Sequence, residues 1–312
     1  MSLGNLEEWG GLKVKDFDAA VGLTDPATEA CRLTCAYDEG EKFDADLEKL
    51  IADPRSGELV SLVIGDWGNA AEGDGPTKPT KALIDNKDKL SSLRHLFIGD
   101  MNGEECEVSW INQGDITPIC EAFPGLESIG VRGSEGLKIT PFRHVALQRI
   151  VIECGGLPSS VVAGLGQCVL PELEHLELYC GTDNYGWDGA AGLTPILKGD
   201  PFPKLKYLGL RSAEEADEIA KVVADSPEIL ERIDELDMSL GALTDIGAKA
   251  LIESGHLPQL KELNIHHHYV TDPVVKELTA IEGVKVDASH SGDEEEEDWG
   301  DGEWYRYIGV SE

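Results

Sequence analysis

The chain has 312 residues, 41% of them hydrophobic, with 26 lysines and arginines against 60 aspartates and glutamates. Its formal charge of −34 repels phosphate groups, so nucleic acid and anionic membranes are excluded as favoured partners. Proteins, peptides and cations remain, with basic partners favoured by charge.

The amino-terminal residues have no basic start followed by an apolar run, and no window approaches the roughly 18 apolar residues of a membrane helix. Neither a signal peptide nor a transmembrane segment is therefore expected. The chain holds 7 cysteines, an odd number without a CxxC pair, which predicts free thiols in a reducing cytoplasm.

One motif, Leu-x-x-Leu-x-Leu with other apolar residues replacing some leucines, organises the chain. Its copies begin at Leu59, Leu93, Leu126, Leu147, Leu173, Leu205, Ile233 and Leu260, with a weaker copy at Ala30. The intervals from Leu59 onward are 34, 33, 21, 26, 32, 28 and 27 residues. Such a loosely constant period is typical of a solenoid, in which each repeat contributes one strand.

Positions four and six of each copy point to the same side of a strand because side chains alternate. One strand cannot bury that side alone, whereas stacked repeats give a parallel sheet with a continuous core. The pattern therefore predicts an α/β leucine-rich-repeat solenoid, shaped as a horseshoe with a curved parallel sheet inside and helices outside.

The stretches between strands predict the returning helices. Residues 213–226 place Ile219, Val222 and Val223 on one helical face. Residues 243–255 predict a helix that ends at Gly255.

The last predicted helix spans residues 271–283, with Thr271 or Asp272 as its cap and Pro273 in its first turn. The interval between Leu126 and Leu147 is short and rich in glycine and proline, so no full helix is expected there.

Several stretches carry a family resemblance. "LDMSLGALTDIGAKAL" (residues 236–251) resembles a leucine-rich repeat of the ribonuclease-inhibitor-like type, although most copies lack the usual asparagine after the strand. "VKDFD", "VIGDWG", "EECEVSWINQGDITP", "LEHLELYCGTDNYG", "LNIHHHYVTD" and "YRYIGVSE" resemble a narrower, uncharacterised family of bacterial leucine-rich-repeat proteins. That resemblance implies the fold but no activity. Some members of that family have genes near those of radical-enzyme and ligase-like proteins, which hints at a shared pathway.

Positions three, five and seven of each copy should line the concave face of the sheet. The predicted partner-binding residues on that face are Arg132, Arg149, Glu153, His175, Glu177, Tyr179, Tyr207, Arg211, Asp237 and His266. Tyrosine and arginine are residue types that anchor protein interfaces. The alternative is a set of ion pairs that satisfy one another and bind nothing.

Two longer insertions, residues 100–115 and 180–189, are expected to leave the same edge of the sheet. Trp110, Tyr185 and Trp187 could form an aromatic rim there. Alternatively, each tryptophan packs back onto the base of its own loop.

Three consecutive histidines, His266 to His268, invite a metal or catalytic interpretation. Neighbouring side chains of a strand alternate in direction, so these rings should not converge on one ion, and zinc needs three or four converging ligands. We expect a structural role for His268, which stands where other leucine-rich repeats place the asparagine of their turn. No metal or other cofactor is expected.

Familiar catalytic motifs, including GxGxxG after a strand, GxxxxGK[ST], HExxH and a nucleophile-elbow serine, are absent from the sequence, so no catalytic residue is assigned. The expected organisation is an N-terminal cap (1–27), a solenoid (28–290), and an acidic linker with a C-terminal capping segment (291–312). In the alternative, the last part is a free acidic tail that captures a basic partner.

The predicted function is a non-catalytic cytoplasmic scaffold that binds a protein or peptide on the concave face. An accessory or recognition subunit of a bacterial modifying-enzyme complex is the first alternative, and a hydrolase with an unrecognised site is the second. The partner's identity and the oligomeric state stay open.

Overall fold

A computed structural model describes residues 3–73, 75–198, 201–292, 295–296 and 304–311, with the backbone alone for 295, 296, 304 and 305. The chain forms two compact units. The N-terminal unit consists of Ser2–Glu153 and Gln167–Leu173, and the C-terminal unit consists of Cys154–Gly166 and Glu174–Ser311. The domain boundaries predicted at residues 27 and 290 stay predictions.

The N-terminal unit builds its sheet in chain order. Its strands are β1 (Glu8–Trp9), β2 (Leu12–Asp16), β3 (Glu29–Leu33), β4 (Ser61–Ile64), β5 (His95–Ile98), β6 (Ser128–Arg132) and β7 (Arg149–Glu153). Its helices are α1 (Gly40–Ala52), α2 (Thr77–Asp85) and α3 (Thr117–Ala122), with 3₁₀ turns at Ser56–Glu58 and Lys87–Leu90. β1 and β2 form an antiparallel hairpin, and every pairing from β2 to β7 is parallel.

The C-terminal unit repeats the arrangement with more helix. Its sheet contains β8 (His175–Gly181), β9 (Tyr207–Ala213), β10 (Glu235–Asp237), β11 (Glu262–Asn264) and β12 (Lys285–Asp287), paired in parallel in that order. Its helices are α4 (Ser159–Leu165), α5 (Thr194–Leu197), α6 (Ala216–Ala224), α7 (Pro227–Leu230), α8 (Asp245–Ser254) and α9 (Asp272–Thr279). The 3₁₀ turns are Asp183–Tyr185, Ala190–Leu193 and Leu257–Gln259, and a short hairpin joins β13 (Glu295–Glu296) to β14 (Trp304–Tyr305).

The strand register follows the sequence motif from Leu59 onward, whereas the weaker copy at Ala30 is displaced by two residues, because Ala30 pairs with Ser61 and so occupies position three. Position three of one copy pairs with position three of the next, as in Ser61 with His95 and Glu235 with Glu262. Positions four and six are buried, and Leu62, Ile64 and Leu176 each show 0% exposure. Each copy thus contributes one strand with one apolar side, which confirms the α/β leucine-rich-repeat solenoid fold.

The predicted helices are present with small differences. α6 buries Ile219 and Val223 but leaves Val222 partly exposed, because a step of about 100° per residue carries it off the buried side. α8 ends at Gly255 in the left-handed conformation (φ +73°), as expected of a C-terminal cap.

α9 starts after Thr271, with Pro273 in its first turn. The fully described link between β6 and β7 contains no helix, as its short length predicts. In the part of the chain that the structure describes, we find no helix with both the length and the apolar character needed to cross a bilayer.

Candidate functional site

The sheet face of the N-terminal unit is covered by the first residues of the chain. Trp9 is 6% exposed and forms one apolar cluster with Ala30, Val63, Phe97 and Val151. The partly buried side chains of Leu6, Leu12 and Val14 pack against this cluster. Position five, predicted to face solvent, is therefore a second core in this unit.

The sequence makes room for the Trp9 ring. Trp9 contacts Phe97 edge to face, with ring centroids 5.0 Å apart. A Cβ atom at Gly130 would lie 2.3 Å from the Phe97 ring and 2.8 Å from the Trp9 ring, so only glycine fits between them. The Ser61 hydroxyl donates to the Trp9 carbonyl at 3.3 Å and fixes the hairpin on the face.

A buried ion network fastens the same segment at the far end of the strands. The Asp100 carboxylate, which is fully buried, accepts a hydrogen bond from the Leu6 amide at 2.8 Å and from Arg32 at 3.2 Å. Arg132 lies 3.9 Å from Asp100 and donates to Glu153 at 2.7 Å. Charges so deeply buried are tolerated because each has partners.

These contacts correct the expected exposure of two predicted partner-binding residues in the N-terminal unit. Arg132 is 1% exposed and Glu153 is 8% exposed, so both face the protein and not solvent. The Arg149 guanidinium lies 5.8 Å from the centre of the Trp9 ring, in cation–π contact with the covering segment. The physical reason is the N-terminal segment, which occupies the face where a partner was expected.

The face of the C-terminal unit, which we call the C-terminal face, is formed by positions three, five and seven of β8 to β12. Position three holds His175, Tyr207, Glu235, Glu262 and Lys285, and position five holds Glu177, Gly209, Asp237, Asn264 and Asp287. Position seven holds Tyr179, Arg211, Ser239, His266 and Ser289. Most of these side chains are polar, in contrast to Val63, Phe97 and Val151 at position five of the N-terminal unit.

Arg211 is the centre of this face. Its Nη1 donates to Glu177 Oε1 at 2.6 Å, its Nε donates to Ser239 Oγ at 3.0 Å, and its Nε lies 3.5 Å from Asp237 Oδ2. The guanidinium also lies 5.1 Å from the centre of the Tyr179 ring. Burial opposes the charge, but the neighbouring tyrosine and carboxylates raise the pKa of Arg211.

Two further side chains extend the network. His175 Nε2 is 3.0 Å from Glu177 Oε2, and the His175 ring stacks on Tyr207 with centroids 4.0 Å apart. The Tyr207 hydroxyl donates to Asp237 Oδ2 at 2.9 Å. Burial, followed by the charges of Glu177 and Asp237, raises the pKa of Tyr207, so this hydroxyl stays protonated.

Burial corrects the expected exposure of three more residues. Glu177 is 7% exposed, Tyr179 3% and Asp237 4%, because neighbouring strands bring charged and aromatic partners within bonding distance. Although burial acts to raise it, the pKa of Glu177 falls to about 2 because His175 and Arg211 favour the carboxylate. These side chains hold the face together, whereas His175, Tyr207, Arg211 and His266 remain partly exposed. Whether any of them binds a partner stays a prediction.

An acidic pair on this face was not among the binding residues predicted from the sequence. Glu235 and Glu262 sit at paired positions of β10 and β11, and both are partly exposed. Burial, and then the charges of Glu262 and Asp237, raise the pKa of Glu235. The signal was visible as two glutamates at position three of successive copies.

The geometry offers little for catalysis. His175 and Glu177 form a histidine–carboxylate pair, in which the His175 ring stacks on Tyr207, whose hydroxyl stays protonated, and Glu177 accepts from Arg211, whose charge the neighbouring carboxylates favour. Nucleophilic catalysis needs an activated nucleophile beside the base. Among the described residues we identify none on this face, and no group of three or more histidine, cysteine or acidic side chains there could hold a metal ion.

The three histidines make separate contacts. His266 Nδ1 is 2.9 Å from Ser289 Oγ, and His267 Nε2 is 2.9 Å from the Tyr307 carbonyl. His268, 2% exposed, accepts from the Val270 amide at 3.0 Å through Nδ1 and donates to the Ala288 carbonyl at 3.0 Å through Nε2. His268 therefore satisfies turn backbone as the sequence predicted.

The three residues of the predicted aromatic rim differ in exposure. Trp187 is 4% exposed and donates from Nε1 to Glu215 at 3.0 Å, so it packs into its own unit. Tyr185 is partly exposed in the C-terminal unit. Trp110, in the N-terminal unit, is 60% exposed and is the ring that best matches the prediction.

The described C-terminal residues dock on the end of β9 and on the turns that follow β10 and β11. Val310 exchanges two 2.8 Å hydrogen bonds with the Ser212 hydroxyl, and the Gly309 amide donates to the Leu240 carbonyl at 2.7 Å. The Tyr307 carbonyl accepts from the Tyr269 hydroxyl at 2.9 Å. The segment was predicted to cover the end of the solenoid, and its described contacts lie instead across successive turns. Most of the acidic run 293–298 lies outside the described residues.

Comparison with known proteins identifies a family. No protein-family model and no curated protein match the chain. Among solved structures, a protein from Bacteroides fragilis superposes with a TM-score of 0.77 at 32% identity, over 90% of this chain and 76% of that one. An internalin from Listeria monocytogenes gives a TM-score of 0.36 at 14% identity, over 86% of this chain and 73% of that one, which is too remote to bear on function.

The repeats and their register thus define a leucine-rich-repeat protein. Within that class, the chain belongs to the same family as the Bacteroides fragilis protein, given the identity and coverage. Folds of this class generally serve as protein-binding scaffolds.

Proposed function

We propose that the protein is a non-catalytic scaffold that binds a basic protein or peptide on the C-terminal face. The observation that carries the proposal is the Glu235–Glu262 pair, two partly exposed carboxylates on adjacent strands that lie beside buried Asp237. Like charges in this position repel one another, and a bound cation relieves that repulsion.

The face is also preorganised for binding. Arg211, Glu177 and Asp237 fix one another, and Tyr207 is held by Asp237 and by stacking on His175. Side chains that are already ordered lose little conformational entropy when a partner binds. Lys285 donates to partly exposed Glu262 at 2.7 Å, and a basic residue from a partner could replace this exposed lysine.

The finer assignments belong to the same proposal. Free thiols at all seven cysteines support a reducing cytoplasm as the site of action. The repeat motif supports the ribonuclease-inhibitor-like type, and the Bacteroides fragilis relative supports the bacterial family named by resemblance.

The test is a charge reversal on the C-terminal face. We expect Glu235→Lys/Glu262→Lys to lose the partners captured quantitatively from the source organism's lysate by the wild type. The matched control, Glu228→Lys/Glu253→Lys, changes the net charge equally on exposed helical positions. Equal capture by wild type and face variant would reject the proposal, as would equal loss in the control.

A further inference from the structure

A cavity of about 260 Å³ opens in the N-terminal unit, among the loops that follow β3, β4 and β5. Two aromatic rings, a thiol and three carboxylates line it together with two alanines: Tyr37, Trp110, Cys106, Asp66, Glu105 and Glu107. All of its lining residues belong to the N-terminal unit, and none of them belongs to the C-terminal face.

The aromatic residues are the first sign of a ligand. Trp110 is 60% exposed and Tyr37 is 52% exposed. By contrast, at most 7% of the surface is exposed in the other tryptophans whose side chains the structure describes, which are Trp9, Trp67 and Trp187. Large apolar rings left in solvent beside a cavity are typical of binding sites, because they gain most from being covered.

The carboxylates are the second sign. Asp66 lines the cavity, is 3% exposed, and accepts a hydrogen bond at Oδ1 from the Gly68 amide at 2.7 Å. Burial raises the pKa of Asp66, and it also raises the pKa of the Cys106 thiol to about 11, with Asp66 adding to that shift. No lysine or arginine is found among the described residues that line the cavity. Its field is therefore negative.

The loop that carries Trp110 is well fastened. Glu105 accepts from the Asn102 amide at 2.9 Å and from Asn5 Nδ2 at 2.8 Å, and the Trp110 amide donates to the Glu107 carbonyl at 2.9 Å. Trp110 is thus presented by anchored backbone, whereas its ring stays accessible.

We propose that this cavity binds the side chain of an arginine presented by a basic peptide, with its guanidinium beside Trp110 and Tyr37 and facing Asp66 and Glu107. Aromatic faces attract cations, tryptophan most strongly. A guanidinium suits the site better than an ammonium, because it is planar, stacks on rings and forms forked hydrogen bonds with carboxylates. An anion would meet the carboxylates, and a neutral ring would leave them without a partner.

The test uses three short acetylated and amidated peptides that differ at one residue, which is arginine, citrulline or lysine. Binding is measured by calorimetry and by the change in tryptophan fluorescence that Trp110→Ala should abolish. We expect the arginine peptide to bind wild type, the lysine peptide to bind less tightly, and the neutral citrulline peptide not to bind. Trp110→Ala should weaken arginine binding by about tenfold and Glu107→Gln by about threefold.

Two controls on exposed helical positions separate this site from general charge attraction. Glu228→Gln on α7 and Glu253→Gln on α8 should bind the arginine peptide as wild type does. The proposal is overturned if citrulline binds as well as arginine, or if Trp110→Ala and Glu107→Gln leave affinity unchanged. Equal binding of the lysine peptide would overturn the guanidinium assignment. The lysate capture by the C-terminal face is scored separately, so either proposal can fail alone.

Discussion

The two units carry the same repeat motif but treat the same face of their sheets in opposite ways. In the N-terminal unit, position five holds Val63, Phe97, Gly130 and Val151, and the chain's own first residues cover it. In the C-terminal unit, position five holds Glu177, Gly209, Asp237 and Asn264, and the face is a polar network with partly exposed edges. Residue type at one position of the repeat therefore decides whether a sheet face becomes core or surface.

The largest expected loss of stability comes from changing Trp9 in the N-terminal segment that covers the sheet. Trp9→Ala removes a buried indole from the centre of the N-terminal cluster, and we expect the free energy of unfolding to fall by about 3–5 kcal/mol. Trp110→Ala, a change of the same size at an exposed ring, should stay within about 0.5 kcal/mol. Urea melts of the two variants measure this, and similar losses in both would contradict a cover made by Trp9.

The ion network of the C-terminal face should make the free energy of unfolding depend on pH. The pKa of folded Glu177 is about 2, below the ordinary glutamate value of about 4.3, so ionised Glu177 stabilises the fold above the ordinary value. This contribution, on the order of 3 kcal/mol, should be lost as pH falls from about 5 to about 2.

Glu177→Gln tests that sign. The difference in unfolding free energy between wild type and variant should be largest at pH 7 and shrink toward pH 2. The expectation from sequence, that Glu177 is exposed and costs little to remove, would instead give a difference within about 0.5 kcal/mol at every pH. Leu176→Ala, which truncates a fully buried leucine, should cost about 2–5 kcal/mol with no such pH dependence.

The C-terminal segment should contribute less to the free energy of unfolding than Trp9 or the network around Glu177. Truncation after Ser291 removes buried Val310 and its two hydrogen bonds to Ser212, so we expect a loss of about 1–3 kcal/mol and a lower melting temperature. Ser212→Ala in the full chain should reproduce about 1 kcal/mol of that loss. An unchanged melting temperature after truncation would support the free acidic tail.

The smallest expected change in the free energy of unfolding is a gain in stability, on substitution of Glu235. Glu235→Gln removes a carboxylate from beside Glu262 and Asp237, and we expect the protein to become more stable by about 0.5 kcal/mol at pH 7. Because the pKa of folded Glu235 is raised, the gain should disappear as pH falls and the wild-type carboxyl becomes protonated. Destabilisation at pH 7 would show that the acidic pair is not repulsive.

Much of the fold was predictable because the repeat motif fixes both strand and register. From Leu59 onward, each copy starts a strand at its third position, as Ser61, His95 and Tyr207 do, and Gly255 ends α8 as glycine usually ends a helix. The function of His268 was also predictable, since its place in the repeat demands a side chain that bonds turn backbone.

The candidate site was harder to predict, because alternation alone assigns side chains to a face without saying what covers it. Trp9 covers the face through contacts with residues far apart in sequence. The apolar residues Val63, Phe97 and Val151 at position five did indicate that this face is buried. The burial of Glu177 and Asp237 depends on Arg211 and Tyr207 reaching them from the next strand. Such pairing requires geometry that periodicity does not supply.

A direct measurement compares position five in the two units. We would introduce Val63→Cys and Asn264→Cys separately and measure the rate of alkylation of each new thiol in the native protein, by mass spectrometry of its own peptide. Val63 is 0% exposed and Asn264 is partly exposed, so the Asn264→Cys thiol should react at least about tenfold faster, whereas adding Trp9→Ala should speed the reaction of Val63→Cys. Equal rates at the two positions, with no response to Trp9→Ala, would contradict the account of one covered face and one open face.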